Sequence, residues 1–119
     1  MSICSVRFKD VGKSYYFKYE DMELKKGLTV VVDTEKGEQF AKVIEPSIEE
    51  VKYVDKNKMK NVIRISTKKD YNNYMANLKT AQEAVIYARE EAKSLGLDMR
   101  IMDASFTLDR KQLIFNFVA

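Results

Sequence analysis

The stretch TKKDYNNYMANLKTAQEAVIYAREEAKSLG, residues 67–96, decides the fold. Its apolar residues fall at Tyr71, Tyr74, Leu78, Ala81, Val85, Ala88, Ala92 and Leu95, and these spacings of three and four trace one face of an α-helix. Both ends are marked. Thr67 is an N-cap residue with Asp70 three positions on, a capping box with Asp where Glu or Gln is commoner. Gly96 stands where a helix ends on a left-handed residue. The reading is one amphipathic helix of about seven turns, ~40 Å long. Its alanines and narrow stripe predict close packing on a sheet or on another helix, with a coiled coil as the alternative.

Beyond Gly96, Leu97 to Leu108 and Leu113 to Val118 flank Asp109-Arg-Lys-Gln112 and read as a β-hairpin. The first strand alternates as Leu97, Met99, Ile101 and then shifts phase to Met102, Ala104, Phe106, Leu108, which predicts a bulge near Ile101. The second is apolar on both faces except at Asn116, the pattern of a central strand with a neighbour on each side. Only one neighbour is in sight. The expectation is a domain incomplete at its C-terminus, part of a longer protein, whose bare edge self-associates into a homo-oligomer through Ile114, Phe115 and Phe117.

Before the helix, Ile3–Phe8, Ser14–Tyr19, Leu28–Thr34 and Gln39–Ile44 read as short strands rich in β-branched and aromatic residues. Asp10-Val-Gly-Lys13, Lys26-Gly27 and Glu35-Lys-Gly-Glu38 supply the turns. Four strands with tight turns predict a small curved sheet or partial barrel, and Pro46 closes that module. Val51, Tyr53, Val62, Ile63 and Ile65 suggest two more short strands around Asp55-Lys-Asn-Lys58. The fold class is therefore α+β. Residues 1–46 form a small β module, and residues 47–119 form a β-linker, the long helix and the hairpin.

Composition narrows function. With 45% hydrophobic and 33% charged residues and little Gly or Pro, the chain is globular rather than disordered. No apolar run approaches a membrane span, and Met1-Ser2-Ile3-Cys4 lacks the regions of a signal peptide, so the expected location is cytoplasmic. Cys4 is the only cysteine, which excludes an internal disulfide; it reads as a small core hydrophobe, with a reactive thiol as the alternative. Histidine is absent, as are Walker-type and GxGxxG phosphate loops. Glu49-Glu50 and Glu90-Glu91 are sequence neighbours whose side chains diverge, so they make no two-carboxylate site. No catalytic or metal residues are assigned, and the chain is read as a non-enzyme that acts by binding.

Two patterns bear on what it binds. Residues 52–69 hold Lys52, Lys56, Lys58, Lys60, Arg64, Lys68 and Lys69 against Asp55 alone, and so carry the basic surplus of a chain whose net charge is +3. They are candidate nucleic-acid contacts, with a solvated loop as the plainer alternative. Tyr15, Tyr16, Phe17 and Tyr19, with Lys13 and Lys18 nearby, suit base stacking or a strand alternating between core and rim.

Four groups of residues, in order along the chain, resemble one family. They are Val6-Arg-Phe-Lys9 with Gly12-Lys-Ser-Tyr-Tyr-Phe17; Leu24-Lys-Lys-Gly27 with Val30-Val-Val-Asp-Thr34, Gly37 and Val43; Val62-Ile-Arg64 with Asp70; and Leu97-Asp-Met99 with Leu113-Ile-Phe115 and Phe117. This pattern is similar to the PSP-one (polymerase suppressor) domain family, on its bacterial stage-zero sporulation branch. The resemblance implies a non-catalytic regulatory scaffold. It implies a complex with two small helical proteins, YlbF-like and YmcA-like, that promotes the sporulation phosphorelay and assists RNA maturation by ribonuclease Y. It also implies iron–sulfur clusters on downstream cysteines that this chain lacks, so no cofactor is expected here. The alternative reading is a nucleic-acid-binding module using the β module and the basic run 52–69.

Overall fold

In the computed structural model, residues 2–9, 12–49 and 58–118 are described. The strands are β1 (Ser2–Arg7), β2 (Tyr15–Tyr19), β3 (Thr29–Thr34), β4 (Gly37–Glu45) and β5 (Val62–Ile65). Then come the helix α1 (Lys68–Ser94) and the hairpin strands β6 (Arg100–Phe106) and β7 (Leu113–Val118). The α+β class, the curved N-terminal sheet, the single long helix and the C-terminal hairpin are all as the sequence predicts.

The first five strands form one antiparallel sheet in the order β2-β1-β4-β3-β5. It curls until its edges meet, where the Lys18 N–H donates to the Lys60 carbonyl at 3.0 Å. Register shifts between Ser5 and Val6 and between Val31 and Val32 supply the extra bend. The alternating small and β-branched residues of the strands are what fill so narrow an interior. Cys4, Val6, Val30, Val32, Ala41, Val43 and Val62 point inward, closed by Phe17 and Leu24. Four strands of this barrel are those read before Pro46; the fifth comes from beyond it. The other strand suggested there, at Val51 and Tyr53, lies outside the described residues.

α1 is held at both ends as expected. The Asp70 N–H donates to Thr67 Oγ1, and the Thr67 N–H donates back to the Asp70 carboxylate at 2.9 Å. At the other end Gly96 takes φ +69°, and the Gly96 and Leu97 N–H groups donate to the carbonyls of Lys93 and Ala92, a Schellman closure. The apolar stripe packs on the hairpin through its middle. Ala81, Val85 and Ala92 are buried there, together with Ile101 of β6. The ends of the stripe behave differently because a seven-residue strand of ~24 Å cannot cover a ~40 Å helix. Tyr74 stacks on Phe40 of the barrel, ring centroids 4.3 Å apart, while Leu95 is left 70% exposed.

The bulge falls where the phase shift puts it. Ile101 pairs with Phe117 and Asp103 with Asn116, leaving Met102 as the extra residue. Arg89 of α1 secures this distortion, donating from Nε to the Ile101 carbonyl at 2.9 Å and from Nη2 to the Met102 carbonyl at 3.2 Å. Among the described residues β7 pairs with β6 alone, which leaves the bare edge expected from the sequence. Its two apolar faces serve different neighbours. Ile114 faces the barrel side, and Phe115 and Phe117 share the face of Ile101.

The two units meet at a narrow waist. The Cα radius of gyration is 16.3 Å, above the roughly 13–14 Å of a sphere-like chain this long, and the extents are 51 × 34 × 22 Å. No helix among the described residues is long and apolar enough to cross a membrane.

Because Val85 sits in the α1–β6 interface, Val85→Asp should cost about 3 kcal/mol or more by burying an unpaired charge. Tyr87→Asp, on an exposed position of the same helix, should be near neutral. Urea unfolding of both variants checks this; equal midpoints would show that the stripe is not core.

Candidate functional site

Three surfaces carry chemistry. At the waist, Arg64 of β5 donates from Nε and Nη2 to the two carboxylate oxygens of Asp70, at 3.2 and 2.8 Å. Its Nη1 reaches Glu38 of β4 at 3.1 Å. Asp70 is buried, and the Arg64 guanidinium above all, with the Thr67 N–H behind it, pulls its carboxyl down to about 2 from the usual 3.8. Next to this pair, the buried Asn77 donates to the carbonyls of Thr107 and Leu108, both at 3.3 Å. The Leu108 N–H in turn donates to the Glu38 carbonyl at 2.8 Å. Gly37 lies against Thr107. At φ +130° the backbone angle calls for glycine, and a Cβ placed there would meet the Thr107 methyl at 3.4 Å, an ordinary van der Waals contact. This cluster is a structural joint.

The second surface is a groove of about 790 Å³ between the mouth of the barrel and the outer face of β7. Tyr15 and Tyr16 line one wall, with Phe8 against Tyr15 at a ring separation of 5.4 Å. Lys36 on the β3–β4 turn, with Lys58 and Lys60 on the approach to β5, lines the rim. Ser105, Ile114 and Asn116 of the hairpin form the opposite wall. Asp33 and Glu35 also face the space. Lys9 forms an ion pair with Asp103, so that the barrel touches β6 on the hairpin's barrel-facing side, and Lys9 with Asn116 lowers the Asp103 carboxyl below its usual range.

The third surface is the end of the helix–hairpin unit farthest from the barrel. Leu97, Met99 and Met102, with the basic Arg89, Lys93 and Arg100, border a cleft of about 550 Å³ over Ile101, and Phe117 and Val118 of β7 lie beside it, more than half exposed.

The basic run therefore does not act as one patch. Lys58 and Lys60 enter the groove, Arg64 is engaged in the joint, and Lys68 and Lys69 are exposed on the first turn of α1. Lys52 and Lys56 lie outside the described residues. The aromatic cluster divides by depth in the barrel, with Tyr15 at its mouth on the same strand face as Phe17. Phe17 is core, Tyr15 and Tyr16 are half exposed, and the Tyr19 hydroxyl donates to the Pro46 carbonyl at 2.7 Å. Of the self-association residues, Phe117 is exposed, whereas Ile114 and Phe115 are half-buried. Cys4 is fully buried, and that burial pushes its thiol up to about 11, the state of a core residue rather than a reactive nucleophile. As the chain's only cysteine, sealed inside the barrel, it does not fit an iron–sulfur ligand set. Sequence reasoning missed Asn77 and the Thr107 turn. A single Asn beside an apolar stripe, facing a turn thirty residues away, leaves no local signal.

Residues 60–119 match the model of the PSP1 C-terminal conserved region. That segment holds β5, α1 and the hairpin, so it includes the joint residues Arg64 and Asp70 and the whole third surface. Over 99% of its length the chain is also 30% identical to the stage 0 sporulation protein YaaT of Bacillus subtilis (strain 168). The chain spans 43% of that relative, less than half its length. No solved structure matches the chain.

The joint makes a pH prediction. A carboxyl held below its unfolded value stabilises the fold above about pH 5, and the contribution is lost as pH falls through about 2. Asp70→Asn should lower stability by about 1 to 2 kcal/mol at neutral pH, through the weakened cap and the lost ion pair. It should also flatten the acid side of the stability curve between about pH 4 and pH 2. Thermal melts across that range check it; a wild-type slope in the variant would refute the assignment.

Proposed function

Because the chain belongs to the PSP1 family, we propose that it is a non-catalytic regulatory scaffold with a sporulation-related role, working through protein contacts. The finer form of the reading is that of the YaaT (RicT) type. The chain acts in the cytoplasm with YlbF-like and YmcA-like helical proteins, promotes the phosphorelay that leads to sporulation, and supports ribonuclease Y in RNA maturation. The kinship with a stage 0 sporulation protein supports this direction.

The observation that carries the scaffold reading is the distal apolar surface. Isolated exposed apolar side chains are ordinary. Here Leu97, Met99, Met102, Phe117 and Val118 gather at one end of the unit that the family model matches. Methionines line adaptable contact surfaces because their unbranched side chains repack around a partner. Because Arg89, Lys93 and Arg100 line the cleft beside Leu97, Met99 and Met102, it suits an amphipathic helix that sets its apolar face on the apolar residues and acidic side chains on the basic ones. A second copy of the chain is the competing occupant, through the same face or the free edge of β7.

The chain and the two helical proteins should co-elute from a sizing column as one complex, and Met102→Asp with Phe117→Asp should abolish co-elution while leaving the circular dichroism spectrum unchanged. Undiminished co-elution of that double variant would remove the distal surface from the reading. Light scattering of the chain alone decides the self-association alternative, for which a concentration-independent monomer mass is the negative result.

A further inference from the structure

We propose that the groove between the barrel mouth and β7 is a binding site for a short run of single-stranded nucleic acid, held by stacking on Tyr15 and Tyr16 and by the rim lysines Lys36, Lys58 and Lys60. The site stands apart from the distal apolar surface and does not depend on the scaffold role.

The aromatic wall comes first. Tyr15 and Tyr16 are the first two residues of β2 and keep 47% and 43% of their surface exposed. A buried aromatic adds core area, but a half-exposed ring lining an open cavity offers a flat π-face to a ligand. Tyr15 is braced from behind by Phe8, which also packs edge-on against the core residue Phe17, with centroids 6.3 Å apart. The ring is therefore pre-positioned, and little order is lost when a base stacks on it.

The charges come second. Lys36, Lys58 and Lys60 are in no ion pair among the described residues, unlike Lys9 and Arg64. They reach the groove from two separate segments, the β3–β4 turn and the approach to β5, so they border its rim rather than forming a single run. Asp33 and Glu35 oppose them, leaving a small positive excess. That balance discriminates. The dense charge of a duplex gains little from so small a surplus, and its paired bases present no free faces. A single strand offers both unstacked bases and sparser phosphates, so stacking carries the larger share of affinity.

The far wall adds polar edges. Asn116 donates through Nδ2 to Asp103 at 2.6 Å, which fixes the amide and leaves its Oδ1 free to accept from a base. Ser105 adds a hydroxyl beside it. The volume of about 790 Å³ lies within the range of sites that enclose small ligands, room for a few bases rather than a long tract.

The test is fluorescence anisotropy with a labelled mixed-sequence oligonucleotide of about ten residues, as RNA, as DNA and as duplex, at about 50 and 200 mM salt. Both single strands should bind, with the duplex at least about tenfold weaker, and any preference between RNA and DNA reports contact with the 2′-hydroxyl. Tyr16→Ala should weaken single-strand binding about tenfold. The triple change Lys36→Gln, Lys58→Gln and Lys60→Gln should flatten a salt slope that three lysines limit to about 2. Tyr87→Asp, on an exposed position of α1 outside both surfaces, should leave oligonucleotide binding unchanged. No binding at the lower salt overturns the proposal, as does equal affinity for duplex. So does wild-type affinity in both the Tyr16 and the triple-lysine variants, or displacement by poly-glutamate as effective as by oligonucleotide. If Tyr16→Ala does not fold, the lysine variant decides alone.

Discussion

The Arg64–Asp70 ion pair is the constraint on which the molecule's shape depends. Asp70 does two jobs with one carboxylate: it accepts the Thr67 N–H that starts α1, and it receives two donors of Arg64 from β5. Only two residues separate the last residue of β5 from the first of α1, so the chain alone allows the helix many exit directions. A planar guanidinium bound through two nitrogens allows few. Its third nitrogen holds Glu38, which ties the same point to β4. The Asp70 side chain is buried while that of Arg64 is 43% exposed, so the pair keeps directional strength without the full cost of desolvating two ions. The aromatic contacts between the barrel and the helix–hairpin unit are those of Phe40 with Tyr71 and Tyr74, and it is the polar contact that fixes direction.

Most of the fold was legible because its signals are local. Thr67, Asp70 and Gly96 bound the helix within one turn of each end, and the phase shift after Ile101 located the bulge. The curl of the sheet was legible from the number of short strands and tight turns. Its closure was not, because the contact between Lys18 and Lys60 joins residues forty-two apart whose side chains carry no pairing preference. The basic run misleads for a related reason. Charge spacing along a chain says nothing about which lysines a strand and a helix start turn toward the same space, and here Arg64 is drawn away by a carboxylate six residues on. The apolar character of β7 suggested burial on both sides, yet an apolar side chain can equally be left at a surface that contacts something else.

The two recognition surfaces differ in how they are built. The distal cleft belongs entirely to the helix–hairpin unit, inside the segment that matches the family model, and its geometry rests on Arg89 holding the bulge open. The groove is composite. Its aromatic wall and lysine rim come from the barrel, and its polar wall comes from β6 and β7.

That difference has a mechanical consequence. Nothing covalent joins the two walls of the groove near the site, so their separation is set by the contacts at the waist: Arg64 with Asp70, Gly37 against Thr107, and the Leu108 N–H on the Glu38 carbonyl. The Lys9–Asp103 pair also spans the two units, but both its side chains are 40% or more exposed, and such a pair contributes little in water. A change at the joint would therefore widen or narrow the groove while leaving the distal cleft intact, since Val85, Ala92 and Ile101 hold that cleft's foundation independently. The same reasoning assigns Gly37 a role that its place in a hairpin turn does not suggest. A side chain there would strain the positive-φ backbone that rests on Thr107, and because the Thr107 hydroxyl donates to Asp109 at 2.7 Å and receives the Gln112 N–H, a shift of that contact would pass into the β6–β7 turn and from there to Ile114 at the groove wall.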